Sequence, residues 1–253
     1  MALVFASSAA LVPSFPQVQS LALGSDRLLL DRREQPLQVL RVDFSKRRWP
    51  WLSLKNYPPH LVKALLISED ERFYYHPGVD PISVGRALWS KFLGGRRQGA
   101  STLTMQLSDL IQPEVLLQSK GLHKGHWSGK ILQVYRAFGL ELRWSKKQIL
   151  EAYLNLIHLK GEHQGVAAAS FAYFHKHPLS LRPEESAVLV ALISSPNPSR
   201  AQLERRSCEL WKKLYPTEGC EVLASSMTQF FDAPKITKGP NRAFHLGQRL
   251  FQE

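Results

Sequence analysis

Signals that begin helices, each followed by apolar residues at helical spacing, constrain the fold of this 253-residue chain more than any other feature. Asp80-Pro81 puts a capping carboxylate before a proline, which is favoured at the first helical position. Ser145 and Gln148 form a variant of the capping box ahead of an apolar stripe. The same reasoning predicts helices over 59–69, 101–111, 128–142, 165–174 and 183–193, and others after Asp80, Ser145 and Ser199. The expected fold class is therefore mainly α.

The N-terminal part of the chain has a different pattern. Residues 27–30 and 37–44 alternate polar and apolar side chains around a polar connection, which predicts a small β-hairpin. We expect residues 26–56 to form this hairpin region and residues 57–253 to form one helical domain. Residues 1–25 are either a truncated export or anchor remnant or a disordered tail, because their apolar run has no basic residue before it. No run reaches the roughly 18–20 apolar residues that a membrane-spanning helix requires.

Positive charge is concentrated in the middle of the sequence. Lys and Arg total 33 against 21 Asp and Glu, a formal net charge of +12. Residues 86–147 hold eleven of the basic residues and three acidic ones, a net of +8. This surplus favours an anionic partner, such as nucleic acid, an acidic membrane surface or a phosphorylated substrate. A merely solvated basic face is the alternative.

Two cysteines, Cys208 and Cys220, lie twelve residues apart without a C-x-x-C pattern. In an oxidising compartment a bridge between them would stabilise the fold by about 3 kcal/mol. Two unpaired thiols are equally compatible with this spacing.

A first cluster of ionisable residues follows the predicted helix that ends at Glu69. Glu69, Asp70, Arg72 and His76 lie between an apolar helix and the turn Pro77-Gly78. A carboxylate in such surroundings can serve as a general base. The alternative is a capped helix end in which Arg72 and His76 are ion-pair partners of the carboxylates.

A second cluster begins at Gln98. Gly99 leads into a helix start capped by Ser101, and free amides at such a start suit phosphate or pyrophosphate. Thr102 and Gln106 then form an uncharged polar stripe, whereas a solvated helix face would normally carry Lys and Glu. The polar stretch 112–128 that follows is expected to be a mobile loop or lid.

A third cluster lies in an unusually apolar predicted helix, where Lys130 and Gln133 precede Arg143. A lysine among apolar neighbours needs an anion to offset its desolvation. Glu141 is eleven residues away, about 16 Å of helix rise, so an external anion is the better candidate.

These clusters, in this order, resemble the peptidoglycan glycosyltransferases of glycosyltransferase family 51, and most closely the C-type class A penicillin-binding proteins. The resemblance covers residues 59–198. Its matching motifs are Glu69-Asp70-x-x-Phe73-x-x-His76-x-Gly78-x-Asp80, Gly85-Arg86-Ala87, the run 98–106, Ser145-Lys146-x-x-Ile149-Leu150-Glu151-x-Tyr153-Leu154-Asn155 and Gly165-Val166-x-x-Ala169. It implies a lysozyme-like helical fold whose cleft faces the membrane, at the periplasmic face of the bacterial inner membrane.

The resemblance also implies a reaction. The substrates would be lipid II and the growing glycan strand, with Glu69 as general base and with Lys130 and Arg143 neutralising the pyrophosphate. A divalent metal, Mg²⁺ or Mn²⁺, binds at the pyrophosphate in some members. The expected partners also include an anionic membrane surface and other cell-wall enzymes, but no nucleic acid. The expected substrate-binding residues are Asp70, Phe73, His76, Arg86, Gln98, Ser101, Thr102, Gln106, Lys130, Gln133 and Arg143.

Two positions depart from the family pattern. Gln133 occupies the position of the family's second carboxylate, although the C-type subgroup also carries Gln there, and Asp109 replaces a lysine that many members have. The hypotheses are therefore an active glycosyltransferase, a catalytically weakened member that binds lipid II or wall enzymes, and a lysozyme-like hydrolase. A basic nucleic-acid-binding module is the remaining alternative.

Overall fold

Helices make up most of the computed structural model, which describes residues 12–32, 36–43, 47–92, 101–115, 126–195, 197–233, 245 and 249. The helices are α1 (Phe15–Leu21), α2 (Pro59–Glu69), α3 (Pro81–Phe92), α4 (Leu103–Val115), α5 (His126–Arg143), α6 (Lys146–Leu156), α7 (Val166–Phe174), α8 (Pro183–Ile193), α9 (Arg200–Leu214) and α10 (Ala224–Asp232). The strands are β1 (Asp26–Leu30), β2 (Pro36–Arg41), β3 (Arg47–Arg48) and β4 (His163–Gln164). The mainly α class with a small N-terminal hairpin is confirmed.

The predicted helix starts are largely confirmed by side-chain caps. Asp80 accepts hydrogen bonds from the amides of Ile82 and Ser83 at the start of α3. Ser145 and Gln148 exchange hydrogen bonds at the start of α6, as the capping-box pattern requires.

The predicted loop 112–128 is wrong at both ends. Helix α4 continues to Val115, and α5 begins at His126. Pro113 cannot donate its backbone amide, which locally disfavours a helix, but α4 includes it in its last turn. The expected lid over residues 116–125 lies outside the described residues.

The chain divides into two compact units, and the domain boundary expected at residue 57 stays a prediction. The first unit comprises Met1–Leu21 and Glu69–Leu156. Its core forms where α4, α5 and α6 pack against one another. Fully buried side chains there are Leu103, Leu107, Leu140, Ile149, Leu150, Tyr153 and Leu154.

The second unit comprises Ala22–Ser68 and Ile157–Glu253. Strands β1 and β2 pair antiparallel, with Arg27 opposite Leu40, and β3 pairs parallel with β4. Helices α7 to α10 supply the rest of its core. Cys208 and Cys220 form a disulfide that joins α9 to the short 3₁₀ helix Cys220–Leu223, which decides between the two alternatives for the cysteines. No helix among the described residues is long and apolar enough to span a membrane.

Candidate functional site

Glu69 is the last residue of α2 and is partly exposed. Gln106 on α4 donates a hydrogen bond from Nε2 to Glu69 Oε2 at 3.1 Å. The Tyr153 hydroxyl on α6 donates to Gln106 Oε1 at 2.7 Å. Because Tyr153 holds the amide oxygen, the amide nitrogen of Gln106 faces the carboxylate of Glu69. Three helices therefore orient the side chain of Glu69.

The sequence does not mark Tyr153 as a site residue, because this residue falls in the apolar stripe of α6. Its side chain is fully buried. Burial, together with the charge of Glu69, raises the pKa of Tyr153 well above its ordinary value, so the phenol stays protonated and donates. A buried tyrosine hydroxyl usually finds a polar partner, and that rule could have signalled the role.

Asp70 and His76 form a buried pair beside Glu69. Asp70 accepts a hydrogen bond from His76 Nε2 at 2.9 Å and one from the amide of Leu103 at 3.0 Å. The amide of Gly78 donates to His76 Nδ1 at 3.2 Å, so Nε2 carries the ring proton. His76 is thus a hydrogen-bond partner of Asp70 rather than an ion-pair partner, and Arg72 pairs with Asp80 instead of Glu69 or Asp70. The expected substrate contacts of Asp70 and His76 stay predictions.

The N-terminus of α4 differs from the open anion site that the sequence predicts. The amide of Leu103 already donates a hydrogen bond to the carboxylate of Asp70. The amide of Met105 donates to the Thr102 hydroxyl at 3.2 Å. Thr102, rather than Ser101, is therefore the capping residue. A carboxylate of the protein already complements the positive end of this helix.

Gly78 packs closely against the backbone of α5 at Ala137. Its φ of +96° lies in the left-handed region, and the Thr102 hydroxyl donates to its carbonyl oxygen. A Cβ atom at this position would come within 2.9 Å of the Ala137 carbonyl oxygen. Both the backbone conformation and the close approach to α5 therefore require glycine.

Phe73 is fully buried, and Lys146 lies over its ring at 4.3 Å from the centroid. Lys146 also donates to the His76 carbonyl and to Glu141 Oε1, both at 2.7 Å. Glu141 therefore pairs with Lys146, in agreement with the expectation that it lies too far from Lys130. Phe73 acts here as packing for the loop 70–80, and its expected contact with substrate stays a prediction.

Lys130 has partners within the protein, which the sequence analysis did not anticipate. Its Nζ donates to Ser101 Oγ at 2.8 Å and to Gln133 Oε1 at 2.7 Å. Gln133 Nε2 donates to Asp109 Oδ2 at 2.6 Å and to the Met105 carbonyl at 3.1 Å. Burial lowers the pKa of Lys130, and the charge of Asp109 opposes that shift.

The remaining predicted residues lie elsewhere. Arg143 is thirteen residues from Lys130 along α5, about 20 Å of helix rise, so this helix does not bring the two cations together. Arg143 instead donates to the Val12 carbonyl at 2.6 Å. Arg86 is exposed on α3. Gln98 lies outside the described residues.

The described residues do not fit a resident divalent metal. No group of three or more His, Cys, Asp or Glu side chains converges among them. The carboxylate of Asp109 accepts a hydrogen bond from Gln133, and its charge acts on Lys130. We therefore assign no step of the chemistry to a metal, and the expected Mg²⁺ or Mn²⁺ at the pyrophosphate stays a prediction.

The ion pair of Asp80 with Arg72 predicts a pH-dependent stability. Burial alone would raise the pKa of Asp80, but hydrogen bonds from Arg72 and Ser83 outweigh it and lower the pKa to about 2. Because the unfolded value of 3.8 is higher, the stabilisation of about 2 kcal/mol is present above pH 4 and is lost as the pH falls toward 2. Urea unfolding of the wild type and of Asp80→Asn should differ at pH 6 and converge at low pH. An equal difference at pH 6 and pH 2.5 would contradict this.

Known proteins resemble this chain in sequence. A family model described as Transglycosylase matches residues 34–215. Penicillin-binding protein 1C of Escherichia coli (strain K12) is 39% identical over 166 residues, which cover 62% of this chain and 20% of that protein. The biosynthetic peptidoglycan transglycosylase of Haemophilus influenzae (strain PittEE) is 36% identical over 177 residues, which cover 69% of this chain and 70% of that protein.

Among solved structures, penicillin-binding protein 1A from Haemophilus influenzae matches with a TM-score of 0.40 and 19% identity, over 91% of this chain and 24% of that chain. This chain spans about a fifth of the length of the penicillin-binding proteins that it matches. The family model covers well over half of the residues. The chain therefore belongs to the transglycosylase family.

Proposed function

We propose that this chain is a peptidoglycan glycosyltransferase that polymerises lipid II into glycan strands. The observation that carries the proposal is the orientation of Glu69 by Gln106 and Tyr153. Lys130 donates to Gln133, whose amide in turn donates to the carbonyl of Met105, the neighbour of Gln106. A directed carboxylate and a cation thus flank the same turn of α4. The matched relative named biosynthetic peptidoglycan transglycosylase supports the same activity.

Glu69 and Lys130 have different roles in the proposed reaction. Glu69 accepts the proton of the 4-hydroxyl of the acceptor sugar, and that oxygen attacks the anomeric carbon of the donor strand. The bond between this carbon and the pyrophosphate oxygen breaks, so the configuration inverts and the lipid pyrophosphate departs with the bonding electrons. Lys130 stabilises the negative charge on this leaving group.

Exposed apolar side chains in the first unit support an anionic membrane surface as a partner. Ile82 and Trp89 on α3 are 61% and 71% exposed, and Arg86 lies on the same helix face at helical spacing. Tyr74 and Tyr75 add exposed aromatic surface nearby in the sequence. Aromatic and basic side chains together suit the interface of an acidic bilayer. The proposed location is the periplasmic face of the bacterial inner membrane. Other cell-wall enzymes stay predicted partners.

The test is incubation of the full chain with labelled lipid II, with separation of the products by length. We expect glycan polymer and released undecaprenyl pyrophosphate. Lipid II binding without polymer would instead indicate the catalytically weakened member. Glycan fragments released from purified sacculi in the absence of lipid II would indicate the hydrolase.

Tyr153→Phe tests the orientation of Glu69. The variant keeps the buried ring and removes the donor to Gln106, so the amide can rotate and present its oxygen to the carboxylate. We expect the kcat for polymerisation to fall about fivefold while KM changes little, since a lost hydrogen bond is worth about 1 kcal/mol. Tyr173→Phe is the matched control, because Tyr173 is also largely buried but donates to the Lys160 carbonyl in the second unit. Equal kcat values for the two variants would contradict the role of Tyr153.

A further inference from the structure

A bridge of two hydrogen bonds links Lys130 on α5 to a carboxylate on the preceding helix, α4. The Gln133 amide accepts from Lys130 at 2.7 Å and donates to Asp109 Oδ2 at 2.6 Å. Its second donor contact, to the Met105 carbonyl at 3.1 Å, prevents the amide from turning over without a loss of partners. Asp109 on α4 is thus held one amide group away from the ammonium of Lys130.

The hydrogen bonds of Lys130 do not neutralise its positive charge. Its two hydrogen-bond acceptors, Ser101 Oγ and Gln133 Oε1, are neutral oxygens. Asp109 acts on Lys130 at longer range and also on Arg136, which lies six residues further along α5. Burial disfavours the charged form of both cations, and the carboxylate offsets part of that cost.

We propose that Asp109 is an internal counter-anion that competes with the pyrophosphate group for Lys130, and so weakens the binding of both the lipid substrate and the lipid pyrophosphate product. This inference rests on the part of the proposed function that places pyrophosphate at Lys130. A charge of the same sign as the ligand, held beside the cation that binds it, lowers the affinity. Weaker binding of the departing lipid favours its release before the next addition.

The substitution Asp109→Asn isolates the charge. Asparagine keeps an oxygen that can accept from Gln133 Nε2, so the orientation of the bridge survives while the negative charge is lost. The probes are inorganic pyrophosphate and geranyl pyrophosphate, titrated calorimetrically into the full chain at low salt. We expect Asp109→Asn to bind both about fivefold to tenfold more tightly than the wild type, and the gain to shrink as salt screens the site.

Two controls test whether the gain in affinity of Asp109→Asn depends on Lys130. Glu71→Gln removes an exposed carboxylate from the same unit that has no part in the bridge, and it should leave the affinity unchanged. In a Lys130→Met background, Asp109→Asn should give no gain, because the cation for which the two anions compete is absent. Thermal unfolding of each variant checks that the fold is retained.

Unchanged or weaker pyrophosphate binding by a folded Asp109→Asn variant would overturn the inference, as would an equal gain in the Lys130→Met background. Absence of binding by both the wild type and Asp109→Asn would overturn it too. These titrations need no turnover. A protein that fails to polymerise lipid II but shows the Asp109→Asn gain would therefore contradict the proposed function and retain the inference.

Discussion

Glutamine in place of Glu69 is expected to lower the rate of lipid II polymerisation by about 10²–10⁴-fold, the usual contribution of a general base. Glutamine has nearly the same shape and can still accept the hydrogen bond from Gln106 that Glu69 receives at 3.1 Å. It cannot take the proton of the acceptor hydroxyl at neutral pH. The loss should therefore fall on kcat, with KM for lipid II close to that of the wild type.

The matched control for this variant is Glu71→Gln, two residues away. Glu71 is exposed and lies outside the hydrogen bonds that orient Glu69, so its substitution should leave polymerisation unaffected. Initial rates with labelled lipid II measure both variants under the same conditions. Similar rates for Glu69→Gln and Glu71→Gln would remove Glu69 from the role of base.

Alanine in place of Asp70 is expected to lower the free energy of unfolding by about 2–6 kcal/mol, because each of two buried donors left without an acceptor costs about 1–3 kcal/mol. The side chain of Asp70 is 3% exposed and accepts from His76 and from the amide of Leu103. Its removal leaves a buried imidazole N–H and a backbone N–H at the start of α4 without their acceptor. Urea denaturation at pH 7 measures the change.

Asparagine at position 70 distinguishes the charge from the hydrogen bonds. Its amide oxygen can still accept from Leu103, so we expect Asp70→Asn to cost clearly less than Asp70→Ala. As a second comparison, Glu218 is exposed in the second unit, and its replacement by alanine should change the stability by less than about 0.5 kcal/mol. A cost below 1 kcal/mol for Asp70→Ala would show that the buried pair does not hold the loop to α4.

Local signals explain why much of the fold could be predicted. The caps at Asp80, Ser145 and Ser199 act on amides two or three residues away, so the residues that form them can be read directly from the chain. The end of α4 could not be read in this way. Pro113 opposes a helix locally, and α4 nevertheless continues to Val115.

The sequence predicts which chemical groups the candidate site contains, but not which of these groups contact one another. Glu69 stands out as a carboxylate at the end of an apolar helix and Lys130 as a lysine within one, whereas only the family resemblance selects Glu69 rather than Asp70 as the base. Tyr153 was overlooked because its aromatic ring satisfies the apolar pattern of α6, while its hydroxyl makes the contact that matters. Arg143 was grouped with Lys130, although α5 separates the two by thirteen residues of helix.

The sequence alone determined the helical class, most helix boundaries and the types of group available for proton transfer and anion binding, since these depend on neighbours along the chain. Tertiary structure decided which groups meet. Asp70 reaches the amide of Leu103 across 33 residues, Tyr153 reaches Gln106 across 47, and the bridge from Gln133 to Asp109 spans 24. The packing of α4 against α5 and α6 sets these contacts, and no periodicity within one helix encodes which side chains of another helix it will face.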